Sequence, residues 1–382
     1  MDVRFLVVAV VLLGFSSCNQ HEGKPYGLIS VPMVTNVGID DLIEKVDMVR
    51  LETAEECLLG DIKRILVDEN YFYLVDELGH SVYIFMKSGD YVSKISRYGE
   101  GPNEYLELSD LDVRNGLVYV LSNPNKRILV YNKQGDCLNA IKLHDWFHHL
   151  AVEDNYILLH SGKSNELFYN LISIDYEGNV LTTHLPYNKN NNFRYKESPF
   201  NAQNGGGYLL TFPYDGRIAS WTEEMCTYQY KIEFESQVKL TDKELDELLY
   251  DEIRKKVQYQ NSLKRINAVV SLDEDNLYMI VTAYYDGEGE RQALCKVNVK
   301  EGSSKFYKLG ERLEDKYPYL SNLLMISDGC IYSSISPFQK NSIDEYMGNN
   351  QEHKNDEESN PIICVYKIRN DNHLVDISRT EH

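Results

Sequence analysis

Short runs of alternating apolar and polar residues fill most of the chain, and one such pattern occurs three times. Each copy has two runs separated by a Gly that Asp or Asn follows, at residues 83–95, 129–141 and 172–181. Alternation with a period of two is typical of a half-buried strand. Gly followed by Asp or Asn closes a tight turn because these residues accept a positive φ. The three copies therefore predict β-hairpins.

The spacing of these hairpins indicates a repeated architecture. Their turn glycines, Gly89, Gly135 and Gly178, lie 46 and then 43 residues apart. A repeat of about 45 residues built from strands is typical of a β-propeller with one four-stranded blade per repeat. The length between residues 46 and 369, without two interruptions, matches six such blades. We therefore predict an all-β fold, a six-bladed β-propeller of four-stranded antiparallel blades.

Two stretches interrupt the strand pattern, and one strand precedes it. Between 240 and 264, apolar residues recur at helical spacing and Thr241 stands three residues before Glu244, which predicts an inserted amphipathic helix with a capping box. Residues from about 339 to 360 are polar and acidic and predict a mobile loop. Residues 46–52 alternate as a strand. We expect this strand to complete the last blade, because such closure removes the open edges of the ring.

The first seventeen residues are typical of a signal peptide. Arg4 precedes an apolar run that is too short to span a bilayer as a mature helix, and small residues then lead to Cys18. This arrangement resembles the bacterial lipobox, which implies a lipid on Cys18 and an anchored mature chain. An ordinary secretory signal with a chance Cys is the alternative. We expect a signal peptide at 1–17, a tether and leading segment at 18–45, the propeller at 46–370 and a C-terminal tail at 371–382.

Charge and cysteine usage exclude several classes of function. The chain has 59 acidic and 39 basic residues and a net charge of −20, which argues against nucleic acid and against direct binding to an anionic membrane surface. We expect membrane contact through the lipid anchor only. The six cysteines after Cys18 include no C-x-x-C pair, so metal-ligand spacing is absent and no cofactor is expected. The pattern leaves open whether Cys330 and Cys364, in one blade, form a disulfide.

The long loops define a candidate functional face. In a propeller the loops between the second and third strands of a blade, and the links between blades, emerge on one face, and the long connections of this chain fall there. Residues 97–105 of the first link contain Gly99, Gly101, Pro102 and Glu104. This stretch resembles the G-x-G-P-G-E loop of the six-bladed, NHL/TolB-like propeller lipoproteins of gut-type Bacteroidetes, with Asn103 in place of the third Gly. The resemblance implies the fold and an envelope location, and nutrient binding is commonly suspected for such proteins.

Two links supply the candidate ligand-binding residues. In the first link, at residues 97–105, we expect Arg97, Glu104 and Tyr105 to contact a ligand at the channel mouth. The alternative is that the link is structural and that Glu104 caps backbone N–H groups. In the second link, before the third blade, we expect Trp146 and His148 to form a stacking platform for a sugar or peptide ring. The alternative is that Trp146 packs in the fold. His148 and the adjacent His149 cannot easily bind one metal, because neighbours on a strand point in opposite directions.

These observations favour a non-catalytic outer-membrane lipoprotein, facing the periplasm or the cell surface, that binds a glycan or a peptide. One alternative is a scaffold that docks an envelope protein through the inserted helix, which an exposed apolar stripe on that helix would favour. A metal-dependent hydrolase or lyase is the third hypothesis, and a metal on the axis stays open. The carboxylates expected near the channel mouth are Asp76, Asp110, Asp112 and Asp215.

Overall fold

Six sheets arranged as blades, each with four antiparallel strands, make up the computed structural model. It describes residues 27–32, 39–76, 80–187, 198–203, 206–212, 214–222, 224–234, 240–257, 262–285, 289–308, 323–336 and 359–369. Sequence-adjacent strands pair in every blade, so the topology is the meander of a β-propeller. The prediction of six blades is confirmed.

The first half of the chain supplies two leading strands and three blades. The leading strands are β1 (Gly27–Val31) and β2 (Ile43–Arg50). Blade one comprises β3 (Ile62–Val67), β4 (Tyr71–Asp76), β5 (Val82–Met86) and β6 (Tyr91–Ile95). Blade two comprises β7 (Asp110–Arg114), β8 (Leu117–Ser122), β9 (Arg127–Tyr131) and β10 (Cys137–Lys142). Blade three comprises β11 (His149–Val152), β12 (Ile157–His160), β13 (Tyr169–Ile174) and β14 (Val180–Pro186).

The second half supplies the remaining blades and two helices. Blade four comprises β15 (Phe200–Ala202), β16 (Tyr208–Phe212), β17 (Asp215–Thr222) and β18 (Met225–Phe234). The helices are α1 (Asp242–Glu247) and α2 (Tyr250–Val257). Blade five comprises β19 (Ser262–Ser271), β20 (Asn276–Tyr285), β21 (Gly289–Asn298) and β22 (Ser303–Lys308). Blade six comprises β23 (Leu323–Ser327), β24 (Cys330–Ile335) and β25 (Ile362–Ile368). Two short 3₁₀ helices lie at Ile39–Asp41 and Glu55–Cys57.

The N-terminal strand β2 closes the ring. It pairs antiparallel with β25 from Ile43 opposite Ile368 to Arg50 opposite Ile362, and so becomes the fourth strand of blade six. This confirms the predicted closure, with the strand beginning three residues earlier than expected. Buried Asn360 reinforces the junction, because its side chain accepts from the Leu59 N–H and donates to the carbonyls of Glu52 and Cys57.

Two of the recurring turn glycines, Gly89 and Gly178, are required by the contact between neighbouring blades. Gly89, Gly135 and Gly178 have φ values of +100°, +83° and +93°. A Cβ on Gly178 would lie 2.5 Å from the carbonyl oxygen of Lys142, on the outer strand of the preceding blade. A Cβ on Gly89 would likewise clash with the carbonyl oxygen of Arg50. The predicted turns are confirmed, and their glycines serve packing as well as backbone conformation.

The leading segment contains a strand that the sequence pattern did not predict. β1 pairs in parallel with β18, from Gly27 opposite Tyr230 to Val31 opposite Phe234, and makes blade four five-stranded. Its Ile29 and Val31 are buried against blades four and five. The expected tether and leading segment, 18–45, is therefore part of the fold from Gly27 to Val31.

The predicted helical insertion is two short helices. Thr241 caps α1: its hydroxyl accepts from the Glu244 N–H, and the Glu244 carboxylate accepts from the Thr241 N–H at 2.9 Å. The capping box is confirmed. The helical pattern does not continue to 264, because Ser262 begins β19.

The apolar side chains lie mainly between neighbouring blades. Pairs of adjacent blades share clusters of buried residues, with fully buried aromatic side chains such as Trp221, Tyr131 and Phe306. Burial of such side chains is the main stabilising contribution, about 1.5–3 kcal/mol for each large one. Each blade thus contributes half of two interfaces.

The cysteine pair left open by the sequence does not form a disulfide. Cys330 lies opposite Lys367 and Cys364 lies opposite Ser333, three residues further along β24. Three residues of strand are about 10 Å and place the two side chains on opposite faces, beyond the reach of an S–S bond.

Several predicted segments lie outside the described residues. These are the signal peptide 1–17, Cys18 with the tether at 19–25, residues 339–358 of the polar loop and the tail at 371–382. Among the residues that are described, no helix is both long and apolar enough to cross a membrane.

Candidate functional site

The link at residues 97–105 is held firmly on blade two. The Arg127 guanidinium, at the start of β9, donates to the carbonyls of Pro102 at 2.9 Å, Gly101 at 2.8 Å and Glu104 at 2.6 Å. The Tyr131 hydroxyl donates to the Asn103 carbonyl at 2.9 Å. Side chains of blade two therefore satisfy the polar backbone of a Gly- and Pro-containing turn, which gives the link one defined shape.

Glu104 and Tyr105 serve this link from within. The Glu104 carboxylate accepts from the Gly101 N–H at 2.9 Å and fills the space where a Cβ of Gly99 would stand. Tyr105 is fully buried, and its hydroxyl donates to the His80 carbonyl at 2.6 Å. Burial raises the pKa of Tyr105 to about 12. Tyr105 has no exposed surface with which to meet a ligand from solvent, and the half-buried Glu104 accepts from a backbone N–H as the structural interpretation of this link predicts.

Arg97 is exposed but is directed toward the rim. Its guanidinium donates to the Gly135 carbonyl at 3.2 and 3.3 Å, and Gly135 lies in the turn between the two outer strands of blade two. Arg97, Glu104 and Tyr105 therefore do not converge on a common site at the channel mouth.

Trp146 lies on the second link and is open to solvent. Its side chain is 42% exposed, and the Lys126 ammonium lies 5.1 Å from the centroid of the indole ring. Lys126 belongs to the loop between β8 and β9, so two connections of the loop-rich face meet at the ring. A cation over an indole stabilises the ring in this position.

A buried carboxylate places more apolar surface beside Trp146. Asp145 is almost completely buried, and its Oδ2 accepts from the N–H groups of Glu166 at 2.7 Å and Leu167 at 3.3 Å. Its other oxygen, Oδ1, accepts from the Trp146 N–H at 2.8 Å. Leu167 and Phe168, in the loop between β12 and β13, are 46% and 41% exposed. We call Trp146, Leu167 and Phe168 the apolar platform.

The loop that carries Phe168 is rigid and locally strained. Phe168 has φ +57°, a left-handed conformation that costs a bulky residue of the order of 1–2 kcal/mol. The Phe168 carbonyl accepts from the Tyr187 N–H, and the buried Tyr187 hydroxyl bonds to Asn165 in the same loop. A strained backbone that presents an exposed aromatic ring, fixed by a buried polar network, is typical of binding sites.

His148 supports this loop from below. Its Nε2 lies 2.8 Å from the Ser164 hydroxyl, which in turn donates to the Ser161 carbonyl. The ring is half-buried and a Cβ on Gly162 would meet it at 2.9 Å. The structure places His148 beneath the platform and Trp146 within it.

A group of buried polar side chains lies between blades one, two and three. The His149 Nδ1 is 3.3 Å from the Asp110 carboxylate, which also pairs with Arg64. The His149 ring stacks on His160, with centroids 5.5 Å apart. His160 is fully buried, neither ring nitrogen has a hydrogen-bond partner among the described residues, and desolvation holds the pKa of its imidazole well below the usual value.

The four carboxylates considered for catalysis are engaged in the fold. Asp112 accepts from the Val152 N–H at 2.7 Å, and desolvation raises the pKa of its carboxyl to about 6. The other three carboxylates also accept hydrogen bonds: Asp110 from the Leu150 N–H, Asp76 from the N–H groups of His80 and Ser81, and Asp215 from the Arg217 guanidinium. Within the described part of the chain, no group of three or more His, Cys, Asp or Glu side chains is arranged to hold a metal ion.

The helical insertion turns its apolar residues toward the propeller. Leu245 of α1 and Ile253 of α2 are buried against Tyr214 of blade four. The Arg217 guanidinium pairs with Asp246 at 2.8 Å, and Lys163 donates to the carbonyls of Leu245 and Asp246. The apolar stripe on which the scaffold hypothesis depended is therefore used for docking within the chain.

The architecture defines the class of protein: a six-bladed β-propeller with a loop-rich face that carries an apolar platform. The family model described as "Domain of unknown function (DUF4934)" matches residues 30–367, and the chain belongs to this family. The resemblance to propellers of Bacteroidetes is thus confirmed for fold and family. No curated protein matches the chain.

The solved structures that share the fold include two from Bacteroides species. One is an exported protein of Bacteroides fragilis, as its description has it, and it is 18% identical to this chain with a TM-score of 0.66. The match covers 90% of this chain and 100% of the B. fragilis chain. A member of the DUF4221 family from Bacteroides vulgatus is 14% identical, with TM-score 0.52, over 86% of this chain and 98% of its own. At such identities the likeness concerns the fold alone.

Proposed function

We propose that this protein is a non-catalytic cell-envelope lipoprotein, anchored to the outer membrane through Cys18, that binds a glycan or a peptide on the apolar platform. The observation that carries the proposal is the exposed Trp146, held beside Leu167 and Phe168 by the buried Asp145 carboxylate. A rigid, exposed aromatic surface on a loop-rich face favours stacking with sugar rings or packing with peptide side chains.

Two further observations support the proposed location. Cys18 stands directly after the apolar run of the predicted signal peptide, and the export attributed to the B. fragilis protein agrees with passage of this chain into the envelope. Metabolic labelling with a palmitate analogue tests the anchor. We expect label in the wild-type protein and none in Cys18→Ser. Label in both proteins would contradict the assignment of Cys18 as the lipid-modified residue.

Ligand binding is tested by thermal unfolding of the purified protein against panels of glycans, peptides and divalent metals. A ligand that binds only the native state stabilises it by RT ln(1 + [L]/Kd), about 2.7 kcal/mol at 100-fold excess over Kd. We expect one glycan or peptide class to raise Tm in a concentration-dependent way. Trp146→Ala and Phe168→Ala should each abolish this shift.

The matched control is Leu138→Ala, which removes an apolar side chain that is 58% exposed on the outer strand of blade two. This variant should retain the full ligand-induced shift. A shift that Trp146→Ala leaves intact would place the ligand elsewhere, and a shift with a divalent metal alone would favour the enzyme hypothesis.

A further inference from the structure

A lysine without an ionic partner lies beside the apolar platform. The Lys126 ammonium contacts the Trp146 ring, and it has no carboxylate within ion-pair distance among the described residues. Other lysines of this chain are neutralised by carboxylates, as Lys231 is by Asp242 and Lys256 is by Glu244. The positive charge of Lys126 is therefore available at the site.

The backbone holds Lys126 in place. Its φ is +47°, its N–H donates to the Asn123 carbonyl at 2.9 Å, and its own carbonyl accepts from the Leu143 N–H at 2.8 Å. The buried Asn123 side chain also accepts from the Phe147 N–H at 3.1 Å, next to Trp146. One asparagine thus ties the loop of Lys126 to the link of Trp146, so charge and platform keep a fixed relation.

The composition of the platform distinguishes between ligand classes. A sugar ring stacks on a flat aromatic face, and Leu167, which is as exposed as Trp146, offers no such face. A peptide can place one apolar side chain against an aliphatic and two aromatic groups together. The same backbone can then present a neighbouring side chain to Lys126.

We propose that the ligand is an acidic peptide, with an apolar side chain on Trp146, Leu167 and Phe168 and a nearby carboxylate paired with Lys126. This inference rests on the proposed binding function of the platform and specifies its ligand. Charges beyond about 8 Å are largely screened at physiological ionic strength, so most of the net negative charge acts weakly at the site, and the acidic group that the platform loop itself exposes is Glu166.

The test uses fluorescein-labelled hexapeptide libraries on the full chain. Each library has one fixed Leu or aromatic residue, and its flanking positions are Glu, Gln or Lys in three otherwise identical sets. We expect the Glu set to bind the wild-type protein most tightly. Lys126→Gln should weaken binding of the Glu set about fivefold more than binding of the Gln set, as expected for one partly exposed ion pair, because loss of the cation beside Trp146 affects both sets equally. Lys126→Glu should shift the preference to the Lys set.

The matched control is Lys133→Gln. Lys133 also lies over an aromatic ring, that of Tyr71 at 4.0 Å, but it follows β9 in the tight turn of blade two. The Lys133→Gln substitution removes the same charge as Lys126→Gln and should leave the preference for the Glu set intact. An equal loss in both lysine variants would show a general charge effect and overturn the inference.

The remaining outcomes separate this inference from the function on which it rests. Binding of all three peptide sets with equal affinity, abolished by Trp146→Ala, would overturn the acidic preference and keep the platform as the site. Trp146-dependent binding of a glycan, without peptide binding, would overturn the peptide assignment and keep the proposed function. An absence of Trp146-dependent binding to any peptide or glycan would overturn both.

Discussion

Single polar residues, buried or half-buried, determine the shape of the loop-rich face. Asp145 joins the link of Trp146 to the loop of Leu167, Asn123 joins that link to the loop of Lys126, and Arg127 fixes the turn at 97–105. Each of these side chains satisfies backbone groups that would otherwise lack partners. Since a buried unsatisfied polar group costs about 1–3 kcal/mol, these residues give each loop one preferred conformation.

His160 makes stability depend on pH. Burial, together with the nearby His149 and His148, holds the pKa of the His160 imidazole well below its unfolded value of about 6.5. The unfolded state therefore binds more protons, and the stability that the neutral ring permits is present above pH 6.5 and lost as the pH falls below it. We expect the unfolding free energy of the wild type to fall about 1.4 kcal/mol per pH unit more steeply than that of His160→Phe.

Urea unfolding between pH 4.5 and 7.5 measures this difference. The Phe variant keeps an aromatic ring next to Phe212, whose centroid is 5.7 Å from that of His160. The difference in unfolding free energy between the two proteins at pH 7.5 reports the change in packing. The difference between the slopes of their unfolding free energies against pH reports the proton that His160 binds on unfolding. Parallel curves for the two proteins would contradict a neutral, buried His160.

At the scale of elements, the helical insertion is attached by few contacts. Helices of six and eight residues are unstable by themselves in water and depend on what they pack against. Here Leu245 and Ile253 supply the apolar contact, and Arg217 and Lys163 hold the C-terminal end of α1. Lys163 belongs to the same loop as Leu167, so the insertion adjoins the platform loop through a direct contact.

Removal of the Asp246 carboxylate should loosen the insertion alone. Asp246→Ala leaves Arg217 paired with Asp215 but without its contact to α1. We expect amide exchange in residues 242–257 to accelerate about fivefold, as for a loss of about 1 kcal/mol in local stability, while the blades keep their protection. Exchange mass spectrometry measures this effect.

Glu247→Ala provides the control for the insertion, because this neighbouring carboxylate is exposed and lies 4.0 Å from Lys243 within the same helix. It should leave exchange in the insertion nearly unchanged. Faster exchange across all six blades in Asp246→Ala would instead indicate that the contact contributes to global stability.

At the scale of the whole molecule, ring closure connects the two ends of the fold. β2 supplies the fourth strand of blade six, and Asn360 binds the segment that leads from β2 to blade one. These contacts join residues about 300 positions apart in the sequence. The closure therefore links blade six to blade one, and we expect the ring to unfold as a unit when it is weakened.

Asn360→Ala tests this closure. The substitution leaves the Leu59 N–H and the carbonyls of Glu52 and Cys57 without their partner in a buried position. We expect a loss of about 3 kcal/mol in the unfolding free energy, measured by urea denaturation. Asn139→Ala, at an exposed position of β10, should cost no more than about 0.5 kcal/mol. Similar values for both variants would contradict the role of Asn360.

The parts of the fold that could be predicted depend on local patterns. The glycine turns, the capping box of Thr241 and Glu244 and the closing strand all have signals within a few residues of sequence. β1 has no such signal, because its five residues become a strand only by pairing with β18, about 200 residues away. The break between α1 and α2 and the start of β19 at Ser262 were likewise hidden by continuous helical spacing.

The candidate site was predicted only in part for the same reason. Trp146 was recognised as an aromatic residue in a long link, and its exposure agrees with that choice. Lys126, Leu167 and Phe168 were missed, although two adjacent apolar residues within a polar loop are a usable signal. The burial of Tyr105, which excludes it from ligand contact, has no signal in the sequence, because a tyrosine in a polar loop reads the same whether it is buried or exposed.

The sequence alone determined the number of blades, the positions of the tight turns, the closing strand and the existence of an insertion. These features follow from period, turn chemistry and alternation, which act between residues close in the chain. Tertiary structure alone decided which loops meet, which histidine is buried and which tryptophan is exposed. Those properties depend on long-range contacts, such as that of Asp145 with Leu167, that form only when neighbouring blades pack against each other.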